Sequence, residues 1–393
     1  MLPPDGLVAV RCECRWGRLW RSFPLQPVVE LPSSPVADEP TITNTAVEVR
    51  EEPAGQVLEE VLALLNLTRT RRGERSVDFL RWKYLENPDG NAVVWTLRTQ
   101  SQGELVGFTA CIPRRVLVRG TEQHAWVGAD FSIHPAFRTL GPAVKLRRQA
   151  SVQINAGRAA FLFAHPNDKM AIIHARCGHV PLGEMIQVAR PLQLAQKLAN
   201  RPGGSLLKYI ARWGIDPILR GVMRLPTQHL RSVQRLSAPV FDERFDTLFA
   251  AHAHSVPVMG VRDSRYLNWR WSPRSGDNPQ VLVDLEGGQL QGFAVYTKDH
   301  EEVVIRDLFP GHDSRVMNRL ITAVVREGAI DGSTVLRTHF LEGNPLIALM
   351  RNRYFFRRME PTTAYVYVPP MSQLYDDVTN YQAWFMSLAD RDV

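Results

Sequence analysis

The sequence predicts an α/β (α+β) protein made of two copies of one unit, each a mixed, mostly antiparallel central sheet flanked by helices. Three observations carry this. Strand-like alternation and helix-like periodicity interleave from about Ala46 to Pro191. Short stretches of that region return, in order, further along the chain. Finally, a strand-loop-helix pattern surrounds HPAFRTLGPAVKL (His134 to Leu146), where Arg138, Gly141 and Ala143 stand at the spacing R-x-x-G-x-A.

Residues 1–42 are rich in Pro, Ser and Arg, show no sustained period and read as a flexible leader. The first unit, 43–191, opens with AVEVREE as a short strand. GQVLEEVLALLNL follows as a helix with Val57, Val61, Leu64 and Leu65 on one face. VDFLRWKYLENPDG reads as an aromatic-rich helix closed by an Asn-Pro-Asp-Gly turn. NAVVWTLRT and GELVGFTACI are strands, RRVLVRG a separate edge strand ending at Gly120, and HAWVGADFSIH another strand. A helix over Pro142 to Ala156 carries proline in its first turn, where a missing N–H costs little. AAFLFAH reads as a buried strand, NDKMAIIHARCGH as a helix ended by Gly178, and LGEMIQVARPL as the closing strand. Across 192–231, aliphatic residues recur at helical spacing beside Lys and Arg, which predicts a helical linker. The second unit is expected over 232–370, followed by a C-terminal tail, 371–393.

The repeat rests on three matches. FLRWKY (Phe79 to Tyr84) returns as YLNWRW (Tyr266 to Trp271), with Trp82 answered by Trp269 at an offset of 187. GELVGF from Gly103 returns as GQLQGF from Gly288, offset 185, and Asn167 and Asn344 each open a helix, offset 177. On that last offset Arg351 falls opposite His174 and Phe355 opposite Gly178. The second copy's counterpart of the loop, DLFPGHDSRVMNRL (Asp307 to Leu320), lacks R-x-x-G-x-A. One active site per chain is therefore expected, in the first unit, beside a degenerate second half.

The formal charge of +7 suits an anionic partner such as a phosphorylated cofactor. No nucleic-acid module accompanies it, so no nucleic-acid partner is expected. No apolar run reaches the ~18 residues of a transmembrane helix, and the N-terminal Arg and Glu do not suit a secretory signal. Cys12 and Cys14 form a lone C-x-C, while Cys111 and Cys177 read as small buried residues. The expectation is a cytoplasmic protein with no metal.

Arg138, Gly141 and Ala143 between a strand and a helix, with Asn167 and Gly178 eleven apart and His174 seven after Asn167, make the first unit resemble the GNAT superfamily of acetyl-CoA-dependent N-acyltransferases. The resemblance implies transfer of an acetyl (acyl) group from acyl-CoA, as co-substrate, to a primary amine of a small molecule. An amino sugar of surface polysaccharide is the acceptor that the resembling subgroup suggests. It also implies that Phe131, Ser132 and Ile133 contact the pantetheine arm, and that Arg138, Thr139, Leu140, Gly141, Pro142 and Ala143 hold the pyrophosphate, with Asn167 completing the cofactor site. The physics agrees: N–H groups at a helix N-terminus attract an anion, and glycine permits close approach. His174, where the family commonly has Tyr, is the candidate general acid for the departing thiolate, and Asp130 the candidate base acting through water. His134, His165 and Glu184 are lesser base candidates. Trp82, Tyr84, Trp269 and Trp271 read as core, with an acceptor groove as their alternative role, and Arg114, Arg115 and Arg119 as a solvated edge. The alternative function is a non-catalytic GNAT-like module that binds a ligand or partner, favoured by Pro142, Ala143 and the missing Tyr, and opposed by Arg138 and Gly141.

Overall fold

The computed structural model describes residues 46–68, 76–193, 213, 230–299, 301–358 and 362–392. The expected leader and nearly all of the expected linker lie outside these residues. Strand β1 (Val47–Pro53) runs into α1 (Ala54–Thr68), which buries Val57, Leu58, Val61, Leu64 and Leu65 along one stripe. Helix α2 (Val77–Leu85) is capped by Ser76, whose Oγ accepts from the Phe79 N–H. Next come β2 (Val93–Thr99), β3 (Leu105–Val118), β4 (Thr121–Ile133), α3 (Leu140–Asn155), β5 (Leu162–Ala164), α4 (Asp168–Arg176) and β6 (Val180–Pro191). The expected break between GELVGFTACI and RRVLVRG is absent. One fourteen-residue strand, β3, carries both, because Pro113 lies within an antiparallel ladder that continues past it.

The second half repeats this order with one added strand, β8: β7 (Val233–Arg235), α5 (Glu243–Ala251), β8 (Val258–Gly260) and α6 (Ser264–Arg270). It continues through β9 (Gln280–Glu286), β10 (Gln289–Asp299), β11 (Glu302–Phe309), α7 (Ser314–Ile330), β12 (Val335–Leu341) and α8 (Pro345–Arg351). The last elements are β13 (Phe356–Arg357), β14 (Thr362–Tyr367), α9 (Tyr375–Val378) and β15 (Trp384–Phe385).

The described strands join one sheet, whose main path is β1-β2-β3-β4-β5-β14-β6-β12-β11-β10-β9-β7. Read from either end, corresponding strands appear in the same order. The halves exchange their last strands: β14 lies between β5 and β6, and β6 pairs with β12 of the second half. Neither half closes its own sheet, so the sequence boundary at 191 cuts a shared ladder.

The repeat has a physical centre. Trp82 Nε1 donates to the Trp269 carbonyl and Trp269 Nε1 to the Trp82 carbonyl, each at 3.1 Å, with the rings stacked at 5.2 Å. The two tryptophans matched by sequence thus meet across a local two-fold relation, and all four of Trp82, Tyr84, Trp269 and Trp271 are buried core residues. The arginines expected on a solvated edge tie the halves instead. Arg114 is buried, donates to the Val261 carbonyl and lies 3.4 Å above the Tyr266 ring, while Arg115 bridges Asp89 and Asp263. Only Arg119 is exposed, paired with Asp377. The C-terminal segment expected to trail away packs into the core through buried Trp384, Phe385 and Met386.

Candidate active site

Strands β4 and β5 run parallel, but pair only at Trp126–Leu162 and Val127–Phe163. Beyond Val127 they part. A β-bulge sits just past the parting: Thr109 faces Phe131 and Cys111 faces Gly128, so Ala129 and Asp130 together oppose Ala110. From the bulge through Phe131, Ser132 and Ile133, β4 is laddered to β3 on one side, while its other backbone edge has no strand partner among the described residues. These are the residues expected along a pantetheine arm.

At the end of β4 a 3₁₀ turn, Pro135–Phe137, leads into α3. Thr139 holds the N-cap position in an extended conformation but makes no side-chain cap. Pro142 has no N–H, so the first turn leaves the Leu140 and Gly141 N–H groups without an intrahelical acceptor. An added Cβ on Gly141 would meet nothing within 4 Å, so this face of the turn is open. An open groove of about 520 Å³ runs along α3 from Leu140 and Gly141 past Lys145 and Arg148 to Arg176. Helix N-terminus and cations together make a surface complementary to phosphate. Arg138 donates to the Ile133 carbonyl at 3.2 Å, bracing the turn.

The second half keeps the same frame and closes it. Strands β11 and β12 pair only through Val304–Arg337, and the β10–β11 register shifts beside Arg306. But Asp313 caps α7 with its own carboxylate, accepting from the Arg315 and Val316 N–H groups, so a negative charge already occupies that helix N-terminus. The Phe385 ring lies 2.1 Å from where a Cβ on Gly311 would stand. The first-half turn is open where its counterpart is capped and plugged.

Two expected residues have local structural roles. Asn167 Oδ1 caps α4 by accepting from the Met170 N–H, and Asn344 does the same for α8 from Leu346. Gly178, at φ +82°, ends α4 with the His179 N–H donating to the His174 carbonyl. In the second copy the Phe355 N–H donates to Met350 and Tyr354 holds the left-handed position, φ 63°. Met350 and Tyr354 are therefore the counterparts of His174 and Gly178, one residue before Arg351 and Phe355, because α8 is shorter.

His174 and Asp130 lie on opposite faces of the sheet. Asp130 is buried on the α2 side, where Lys83 Nζ (2.8 Å) and Tyr84 Oη (2.9 Å) donate to its Oδ2, and Lys83 also pairs with Asp392 at 2.6 Å. Burial opposes the Lys83 charge, yet the two carboxylates raise it above the ordinary lysine value. A cavity of about 20 Å³, bordered by Arg114, Tyr266, Trp269 and Asp392, adjoins this cluster, with room for about one water.

His174, on the α3–α4 side, is buried with Nδ1 2.9 Å from His179 Nδ1. Ser151 Oγ donates to the Cys177 carbonyl and lies 3.3 Å from His179 Nε2, so that nitrogen carries the proton it shares with Ser151. Burial first, then Arg147, pushes His179 to about 2 and His174 well below its ordinary value, so both rings are neutral. His179 Nδ1 is then an acceptor, His174 Nδ1 its donor, and His174 Nε2 is left bare. In that tautomer Nε2 accepts a hydrogen bond and has no proton of its own to donate as an acid. His134 Nδ1 accepts from the Ala136 N–H and Glu184 pairs with Arg357 at the surface. His165 Nε2 faces Met386 Sδ at 3.2 Å, with Nδ1 buried and unpaired.

These histidines make stability acid-sensitive. Burial, reinforced by neighbouring arginines, holds His165 at about 3 and His339 at about 4, alongside His179 and His174. An unfolded histidine titrates near 6.5, so below that pH the unfolded chain binds protons that the folded chain refuses. Stability is full above about pH 6.5 and falls as pH drops toward about 4. At pH 5 these four rings are expected to take up close to four protons on unfolding, seen as a urea midpoint that declines steeply between pH 7 and 5. A flat midpoint over that range would refute the assignment.

Two contributors escaped the sequence reading. Asp392 belongs to the expected C-terminal tail, yet it completes the Lys83 pair. Arg147 interrupts the apolar stripe Ala143, Leu146, Ala150 and Ile154 on α3, and that interruption was its visible signal. Cys111 and Cys177 are buried thiols raised above their usual range by burial, as expected of packing residues. Among the described residues no cluster suits a metal ion, and no helix is long and apolar enough to cross a membrane.

No protein-family model matches the sequence, and no curated protein matches it. Solved structures do. The chain is similar to a GCN5-related N-acetyltransferase from Anabaena variabilis ATCC 29413, with TM-score 0.58 and 12% identity over 82% of this chain and 73% of that one. A GCN5-related N-acetyltransferase from Kribbella flavida aligns with TM-score 0.54 and 12% identity over 82% and 71%. Saccharomyces cerevisiae N-myristoyltransferase with bound myristoyl-CoA aligns with TM-score 0.54 and 15% identity over 87% of this chain and 85% of that one. Parted parallel strands, an uncapped helix turn and these likenesses converge: the chain has the GNAT-superfamily fold, in two halves.

Proposed function

We propose that the first half binds an acyl-CoA and transfers its acyl group to a primary amine of a small molecule. The observation that carries this is the uncapped N-terminus of α3, with open space at Gly141, beside a strand edge that has no strand partner among the described residues. The neighbours named for acetyl and myristoyl transfer support the same class. Pyrophosphate sits against the Arg138–Ala143 turn, the pantetheine arm follows Phe131 to Ile133, and the thioester lies beside the bulge.

The amine approaches from the α2 side, where Asp392 and, behind it, Asp130 draw an ammonium group and take its first proton through water. Attack on the thioester carbonyl gives a tetrahedral intermediate whose nitrogen carries one proton too many. That proton passes through water to the sulfur as the carbon–sulfur bond breaks, with His174 Nε2, bare in the neutral tautomer, orienting the water as a hydrogen-bond acceptor. The products are the amide and free CoA. Binding both reactants in the parted strands supplies the positioning.

Titration of acetyl-CoA, followed by CoA release with a panel of primary amines headed by amino sugars, tests this reading. His174→Ala is expected to lower kcat by roughly 10²-fold with KM for acetyl-CoA little changed. Turnover intact in both His174→Ala and Asp130→Ala would show the site assignment wrong. The cavity of about 20 Å³ on the α2 side, too small for an amine, favours a second reading: a non-catalytic ligand-binding module. Tight CoA binding with no turnover across the panel would select it.

A further inference from the structure

Arg147 is a buried cation with no ion-pair partner among the described residues. It sits in the middle of the sheet-facing stripe of α3 and is 1% exposed. Nη1 donates to Thr109 Oγ1 at 3.1 Å and reaches Cys111 Sγ at 3.8 Å, while Nε and Nη2 are buried with no partner. Among the described residues no carboxylate lies within ion-pair distance. Of the surrounding titratable groups, His174 and His179 are neutral and Cys111 is held as a thiol, while the Asp392 carboxylate that acts on Cys111 is beyond ion-pair distance of Arg147 and pairs with Lys83. An unpaired guanidinium in such a place is costly unless something negative joins it.

Its position says what that is. An ideal Cβ on Gly128 would stand 2.1 Å from Arg147 Nη2 and 3.0 Å from Ala164 Cβ. Gly128 and Ala164 are the residues immediately after the last β4–β5 pairs, Trp126–Leu162 and Val127–Phe163. The guanidinium therefore caps the vertex where the two strands part, and glycine at 128 gives it the room. The bulge at Ala129 and Asp130, where the proposed reading places the thioester, lies one to two residues further along β4, roughly 3–7 Å. An acyl chain pointing from the thioester into the vertex ends at Arg147. From carbonyl carbon to terminal carbon, a three- or four-carbon chain spans about 2.5–4 Å at ~1.5 Å per bond.

We infer that the acyl donor is a CoA thioester of a short dicarboxylic acid, whose free carboxylate is bound by Arg147 at the vertex of the parted strands. Nε and Nη2 form one edge of the planar fork and present two parallel N–H donors, the geometry that matches a carboxylate bidentately. An apolar acyl chain of the same length leaves those donors unpaired. The preference thus comes from satisfying a buried group that is otherwise orphaned. This inference rests on the acyl-CoA reading above and narrows its donor.

The test is calorimetric titration of the wild-type chain with succinyl-CoA, malonyl-CoA, butyryl-CoA and acetyl-CoA. Succinyl- or malonyl-CoA is expected to bind at least 30-fold more tightly than butyryl-CoA. Arg147→Met, which removes the charge and keeps the length, is expected to collapse that ratio to near one, and Arg147→Lys to restore part of it. The wild-type ratio decides the matter even where a variant fails to fold. Butyryl- or acetyl-CoA binding as tightly as the dicarboxylic thioesters overturns the inference and leaves the acyl-CoA reading standing. No thioester binding at all, with Gly141→Glu changing nothing, overturns both.

Discussion

Gly141→Glu is expected to weaken acetyl-CoA binding by about 10³-fold while leaving the urea midpoint nearly unchanged. The position is exposed and nothing lies within 4 Å of an added Cβ, so the side chain enters free space and strains no packing. Its carboxylate then stands at the helix N-terminus to which the proposed function assigns the pyrophosphate. Like charges brought together at a binding surface cost several kcal/mol, and ~4 kcal/mol is about three decades in Kd. Calorimetry on both proteins reads the loss, and an unfolding curve confirms that the variant is folded. An unchanged Kd would move the anion site away from α3. The second-half turn offers no such experiment, because Phe385 fills the space at Gly311 and Asp313 already caps α7.

Trp82→Ala should destabilise the fold by about 3–5 kcal/mol, the range for removing a buried tryptophan. The indole is 1% exposed, stacks on Trp269 and donates across the local two-fold to its carbonyl. Trp269→Ala should cost a comparable amount, since it removes the same contact from the other side. The double variant should lose less than the sum, with a coupling of about 0.5–3 kcal/mol, because each single change already breaks the shared stack. Urea unfolding of the three variants measures this. Additive losses would mean that the two rings act independently, and that the repeat has no energetic centre there. Because the halves exchange β6 and β14, the loss should appear as one cooperative transition.

The strand-loop-helix around Gly141 was legible in the sequence because its determinants are local. A glycine and a proline in one turn, with an apolar strand before it and a periodic helix after it, specify that geometry without distant contacts. Asn167 and Gly178 were legible for the same reason, and the structure shows what they do nearby. One caps the start of α4 and the other ends it, which by itself accounts for their spacing of eleven. Their presence in a cofactor motif and their capping chemistry are not separable by sequence. The repeat was also legible, through Trp82 and Trp269, although their mutual hydrogen bonds were not.

What the sequence determined by itself was the succession of elements, the existence of two related halves, and the loop that only the first half keeps open. What the tertiary structure decided was everything that depends on residues far apart in the chain. The exchange of β6 and β14 follows from pairing across 144 to 186 residues, which no local period encodes. Asp392 reaches Lys83 only because the final segment folds back against the first half. The proton order along Ser151, His179 and His174 follows from three side chains meeting in a space that excludes water. And Arg147, one charged letter in an apolar stripe, becomes an unsatisfied cation at a strand vertex only when α3 lies across Gly128. Hydrophobic periodicity places backbone segments. Charge, burial and proton position belong to the packed neighbourhood, and there the chemistry of the site is settled.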